Sequence, residues 1–194
     1  MSHGRPLEFD PRRALLAALE VFWRQGFEAT SLNDLLRAMG ISRSSFYQAF
    51  GSKHALFERC LAAFRERQVE RMTRALEQAP SGKAFLRASL QALVREAADG
   101  SLPKGCLIMN TATEFAGRDP AVARLVSDGT GAFAEVFRAA VVRAQAEGEI
   151  AAERDAAVLA RYMVSTISGL RTMVKAGLPP AAVEEVVEVA LGAL

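Results

Sequence analysis

The sequence predicts an all-α fold: an N-terminal three-helix helix-turn-helix domain followed by a C-terminal helical bundle, about nine helices in total. Three observations carry this expectation. Of the 194 residues 51% are hydrophobic, with Ala, Leu, Val and Arg recurring and few strand-favouring Thr and Tyr, a balance that favours helices. Apolar side chains recur every three or four residues along most of the chain. The prolines sit mostly near the apparent helix boundaries.

The first helix starts at Asp10 and Pro11, an N-cap followed by proline at a position where its missing N–H costs nothing. Leu15, Leu19 and Phe22 form its stripe, Trp23 beside them reads as packing, and Gly26 ends it with Phe27 folding back. The second begins at Thr30 or Ser31, with Asp34 as capping-box partner and Leu32, Leu35, Leu36 and Met39 at helical spacing. Gly40 stops it, because glycine takes the left-handed conformation without a Cβ clash. Ser42 then caps a third helix, with Ile41 and Phe46 as a hydrophobic staple.

The remaining helices follow by the same signals. Ser52 opens a long helix that runs to about Gln78, where Pro80, Ser81 and Gly82 close it. Phe85, Leu86, Leu90, Leu93 and Val94 define the next, ending near Asp99 and Gly100. A short one carries Cys106, Asn110, Thr113 and Glu114 and ends at Gly117; Asp119 and Pro120 open another that reaches about Glu147, with Gly129 and Gly131 as points of bending. Residues 155–175 form the eighth helix. Gly177, Pro179 and Pro180 separate it from a last one bearing Val183, Val186, Val187 and Leu191.

Helix, glycine turn, helix across residues 30–50 is a helix-turn-helix. On its second helix Phe46, Ala49 and Phe50 share the inward face, leaving Ser44, Ser45, Tyr47 and Gln48 outward and Arg43 at the edge. Arg pairs with guanine, Gln with adenine and Ser with either in the major groove of double-stranded DNA, while phosphates accept from hydroxyls. Ser52 would put Lys53 in the first turn of the next helix, where a phosphate is favoured. Residues 1–9 read either as an arm that lets Arg5 reach the minor groove or as a plain disordered tail.

Charge supports a localised contact. The net charge is only +2, yet residues 1–60 hold eight Lys and Arg against six Asp and Glu, whereas the remainder balances. Two cysteines make no disulfide framework, two histidines give no metal-ligand spacing, and no cofactor is called for. No apolar run is long enough for a membrane span and MSHGRPLEFDPRR lacks a signal-peptide core, so a cytoplasmic protein is expected. The two apolar final helices predict a homodimer, which would set two recognition helices about 34 to 36 Å or a multiple apart on a two-fold operator.

The pattern of Gly-Phe closing a helix, then Thr-Ser-Leu, Gly-Ile-Ser, Phe-Tyr, Phe50, Lys53 and Leu56-Phe57 resembles the TetR family of bacterial one-component transcription regulators over roughly residues 10–60. The resemblance implies a DNA-binding domain at residues 1–51 and a ligand-sensing and dimerisation domain at 52–194. It also implies a repressor of palindromic operators, released by a small apolar or electrophilic effector. Thr30, Ser31, Tyr47 and Lys53 match phosphate-contacting positions; Ser42 caps the recognition helix, and Arg43, Ser44, Ser45 and Gln48 match base-facing positions. Ala49 stands where the family often carries histidine or another large polar residue, which predicts one phosphate contact fewer.

KGCLIMN resembles a branch in which a cysteine senses electrophiles or oxidants. Cys106 at a helix N-terminus, with Lys104 adjacent in sequence and Lys175 on a later helix that could approach it, would fit a reactive thiol; a buried, inert cysteine filling a pocket wall is the competing and more ordinary reading. An effector pocket would draw on Phe64, Leu90, Met109, Asn110, Thr113, Phe133, Phe137, Met163 and Ile167. Two other functions stand against the regulator. A thiol-dependent enzyme lacks a histidine near Cys106, since His3 and His54 are both N-terminal. A helical protein-interaction module fits poorly with the polar face of Arg43, Tyr47 and Gln48.

Overall fold

Nine helices and no strand form among the described residues, which are 9–99, 104–115 and 117–194 of the computed structural model. Arg5 and the arm up to residue 8 lie outside them, as does the predicted helix end at Gly100. Phe9 does not belong to a free arm: its ring lies 6.4 Å from that of Phe50 and packs on the N-terminal core.

The predicted caps place the first four helices. Asp10 accepts from the N–H groups of Arg12 and Arg13 to start α1 (Pro11–Gln25), and Gly26 ends it at φ 82°. Ser31 and Asp34 form the full capping box of α2 (Leu32–Met39). Gly40, at φ 67°, ends α2 with its own N–H and that of Ile41 both donating to the Leu36 carbonyl. Ser42 caps α3 (Arg43–Phe50) and Ser52 caps α4 (Lys53–Gln78).

The C-terminal part comprises α5 (Gly82–Ala98), α6 (Leu107–Phe115), α7 (Pro120–Ala146), α8 (Ala156–Lys175) and α9 (Pro180–Gly192). One predicted glycine role changes. Gly82 was expected to terminate α4, but Ser81 caps α5 and Gly82 is its buried first residue. A Cβ there would fall 2.3 Å from the Ala140 carbonyl oxygen and 2.5 Å from the Ala144 nitrogen, so glycine is what lets α5 cross α7 this closely. α7 runs through Gly129, where a Cβ would press on Ile108 of α6 at 3.1 Å.

Two apolar cores result. The N-terminal one unites Phe22, Leu35, Phe46 and Phe50 with the first half of α4 (Leu56, Phe57, Leu61, Phe64), and also with Cys106, Leu107, Ile108 and Val122. The other packs α5, α7, α8 and α9 around Leu86, Leu90, Val141, Met163 and Val187. The first half of α4 therefore folds with the helix-turn-helix, and α6 packs on it from the C-terminal side. No helix of the described residues is long and apolar enough to cross a membrane.

Candidate nucleic-acid interface and effector cavity

The outward face of α3 is open. Arg43, Ser44 and Gln48 are exposed, Tyr47 is 50% exposed, and Phe46 and Phe50 beneath them are buried. The Arg43 guanidinium rests on Asn33 of α2 at 3.2 Å, a single solvent-exposed bond that a base or phosphate can replace. Ser42 and Ser45 face each other at 2.9 Å, and the Ser42 oxygen accepts from the Ser45 N–H, so both serve the cap of α3. Ser31 is likewise engaged with Asp34, and its hydroxyl holds that carboxyl below the usual aspartate range. Lys53 sits at the N-terminus of α4 with its ammonium 4.2 Å above the Phe27 ring.

Thr30 departs from the expectation. Its side chain is buried, 1% exposed, and its hydroxyl donates to the Gly26 carbonyl at 2.5 Å. It braces the turn between α1 and α2, with no hydroxyl left to offer a phosphate. Arg59 was not anticipated: it donates to the Ala49 carbonyl at 3.0 Å and lies over the Phe50 ring, closing the C-terminal end of α3. Ala49 thus contributes its backbone carbonyl to that closure.

A cavity of about 790 Å³ opens between α4, α5, α7 and α8. Phe64, Cys106, Phe133, Phe137 and Ile167 line it as expected. Met109, Asn110 and Thr113 do not: Asn110 donates to the Lys104 carbonyl, and Thr113 is exposed and donates to the Met109 carbonyl. Met163 and Leu90 are wholly buried core residues behind the wall. The polar lining was not foreseen. Arg71, Arg95, Glu96, Asp99 and Arg171 all face the cavity, and Arg171 donates to Glu96 at 3.2 Å. Crowding by the surrounding protein and the like charge of Arg171 lower the Arg71 pKa, against the pull of Glu96, although the side chain stays open to solvent through the cavity.

Cys106 is 7% exposed and immediately precedes α6, its carbonyl accepting from Asn110. Lys104 does not stand free beside it. Its ammonium pairs with Glu20 at 2.5 Å, and although burial alone would raise the Glu20 pKa, the bonds from Lys104 and Arg24 bring it below its ordinary value. The Lys175 side chain, by contrast, runs against Gly105. Cys60 is buried, with its thiol donating to the Leu15 carbonyl at 3.7 Å and burial pushing its pKa up to about 12. Among the described residues no group of three or more His, Cys, Asp or Glu is arranged to hold a metal ion.

Cavity and helix-turn-helix are tied by several contacts. Trp23 of α1 donates from its indole N–H to the Gly105 carbonyl at 3.0 Å and packs edge-on against Phe64, 5.0 Å between centroids. The Glu114 carboxylate of α6 accepts from the N–H groups of Phe27 and Glu28 at 2.9 and 2.7 Å. His54 of α4 meets Asp119, the N-cap of α7, at 2.6 Å.

The comparisons with known proteins cover both parts. Residues 14–60 match the bacterial regulatory proteins of the tetR family, and residues 82–190 match the tetracyclin repressor-like C-terminal domain. An uncharacterized HTH-type transcriptional regulator of Bacillus subtilis, YezE, is 33% identical over 98% of this chain and 99% of its own length. The HTH-type transcriptional repressor ComR of Escherichia coli is 27% identical over 97% of this chain and 89% of its own. A cysteine mutant of the TetR family regulator CifR, solved with 26-base-pair double-strand operator DNA, is 34% identical. That structure superposes with a TM-score of 0.84 over 97% of this chain and 99% of that one. These relatives are regulators of transcription and not enzymes, so the thiol-enzyme alternative falls away. The chain belongs to the TetR family of bacterial transcription regulators.

Proposed function

We propose that the protein is a homodimeric, cytoplasmic, one-component repressor that binds a palindromic operator through α3 and releases it when a small molecule occupies the cavity. The observation that carries this is the exposed polar face of α3 over the apolar core of the three-helix unit. Arg43, Ser44 and Gln48 read base edges, Tyr47 and Lys53 hold phosphates, and Ser31, Ser42 and Ser45 set the two helix starts. The CifR complex with operator DNA and the repressor role of ComR support the same reading.

The second copy docks on α8 and α9. Val158 and Met173 are each 51% exposed and share a face of α8 with the small residues Ser165 and Gly169; Val189 of α9 is 75% exposed and lies near Val186. Exposed valines beside small residues suit close packing of helices against a partner. Release follows because α4 both lines the cavity and carries the helix-turn-helix core, so a displacement there alters the separation of the two α3 helices. Cys106 is the thiol that an electrophile inside the cavity would meet, which makes it the residue for covalent release.

Fluorescence anisotropy with DNA from upstream of the gene tests this. Binding should fall steeply with salt and be lost in a double variant, Arg43→Ala with Tyr47→Ala. Val189→Glu should yield monomers by light scattering and weaken operator binding with them. Cys106→Ser should abolish release by oxidants or reactive aldehydes. Absence of sequence-selective binding by the wild-type dimer would end the repressor reading, and unchanged release in Cys106→Ser would end the role of the thiol.

A further inference from the structure

The cavity is lined by charged as well as apolar side chains. Its walls are apolar at Phe64, Phe85, Phe133, Phe137, Val164 and Ile167, yet three guanidinium groups line it against two carboxylates, Glu96 and Asp99. Glu96 is already committed to Arg171 across the α5–α8 boundary. Among the described residues Arg71 forms no ion pair with a carboxylate, Glu96 being bonded to Arg171 instead. Arg71 therefore points a cation into a space walled by aromatic rings, beside the like charge of Arg171.

We infer that the effector is an amphipathic monocarboxylate, its apolar body against the phenylalanines and its carboxylate on Arg71. This rests on the proposed role of the cavity as an effector site. The planar guanidinium fork fits a carboxylate with two parallel bonds, which a hydroxyl cannot match and an ammonium would repel. A cavity of about 790 Å³ is within the size range of small-molecule sites and leaves room for a medium-length chain or a fused aromatic body. Glu96 is bonded to Arg171, which leaves Arg71, beside that pair, without a bonded carboxylate of its own among the described residues.

Calorimetric titration of the purified full-length protein, without DNA, tests the ligand class. The probes are decanoate, 1-decanol and decylamine. Decanoate should bind about tenfold more tightly than 1-decanol, the increment expected of charge-assisted bonds discounted for a partly solvated site, and decylamine should bind least. Arg71→Gln should remove the preference of decanoate over 1-decanol while leaving 1-decanol itself unchanged, and Arg71→Lys should keep part of it. Equal binding of acid and alcohol to the wild type, tighter binding of decylamine, or an intact preference in Arg71→Gln would each overturn the inference. The acid-against-alcohol comparison on the wild type decides the matter even if the glutamine variant folds poorly. Operator anisotropy is measured separately. Selective decanoate binding with no change in operator affinity keeps the ligand class and sinks the release mechanism, whereas release by 1-decanol as effective as by decanoate sinks the class and keeps the mechanism.

Discussion

Replacing Gly82 by alanine sets two effects of opposite sign against each other. Gly82 is the first residue of α5 and lies outside the positive-φ region, so alanine there suits the backbone and should gain about 0.5 to 1 kcal/mol from helix propensity and a less flexible unfolded chain. Against that, the new methyl would sit 2.3 Å from the Ala140 carbonyl oxygen and 2.5 Å from the Ala144 nitrogen, where ordinary contact begins at 3.4 Å. Both obstacles are backbone atoms of α7 and cannot rotate away. The helices must part by about an ångström, which also stretches the 2.7 Å bond from the Gly82 N–H to Glu147.

Overpacking of this kind costs roughly 1 to 3 kcal/mol and the weakened Gly82–Glu147 bond adds roughly 0.5 to 1 kcal/mol, so the clash wins and Gly82→Ala should lose about 1 to 2 kcal/mol net. For a chain of this length that is a fall in Tm of roughly 2 to 8 °C. Gly131→Ala is the control: it is helical, exposed, and a Cβ there would meet nothing within 4 Å, so it should gain a few tenths of a kcal/mol, about half the usual Gly→Ala difference. Urea unfolding of both variants at one fixed protein concentration reads the two signs. If Gly82→Ala is as stable as the wild type, the close crossing of α5 on α7 is not a constraint and the argument fails.

Three other outcomes follow. Glu114→Ala should destabilise by about 1 to 2 kcal/mol, because it strands the part-buried Phe27 N–H and the exposed Glu28 N–H; Glu114→Gln should lose about half as much, and equal losses in urea midpoints would contradict the bonding. Asp119 and Glu147 are held below their ordinary values of 3.8 and 4.5, chiefly by the Val122 and Gly82 N–H groups respectively. Their stabilisation is complete above those values and lost as pH falls through the lower folded-state pKa, so urea midpoints should be level from neutral pH to about 5 and drop below about 4. A midpoint that rises on acidification would refute the sign. Cys60, with its pKa near 12, should resist aromatic disulfide reagents at pH 8 in the folded protein and react only in urea, and peptide mapping that finds it modified in the native state would show that it is accessible.

The helices were legible because their ends are written in local chemistry. Asp10 with Pro11, Ser31 with Asp34, Ser42, Ser52 and Asp119 each cap a helix from within three residues, and such signals need no knowledge of the tertiary fold. Gly82 misled for the same reason. Pro80, Ser81 and Gly82 read locally as a breaker, whereas what selects glycine is the backbone of α7 more than fifty residues away. Thr30 is the corresponding case at the DNA face: a threonine before a cap looks like a phosphate donor until the turn after α1 brings the Gly26 carbonyl to its hydroxyl.

The face of α3 could be assigned because one short amphipathic helix sorts its own side chains, apolar Phe46 and Phe50 inward and Arg43, Ser44, Tyr47 and Gln48 outward. The cavity could not be. Arg71 lies in a run of alternating charges on α4 that resembles any solvated face, and Arg95 and Arg171 sit on two other helices; only the convergence of α4, α5 and α8 turns the three into one lining. The same convergence explains how an occupied cavity would reach DNA. Phe64 and Cys106 form part of its wall, and Trp23 of α1 packs on the first and hydrogen-bonds the residue before the second. Glu114 then links the far end of α6 to the turn that precedes α2. On the proposed release mechanism, a ligand that displaced this wall would act on α1, on the start of the helix-turn-helix and on α4 together, and α3 would move with the core they share.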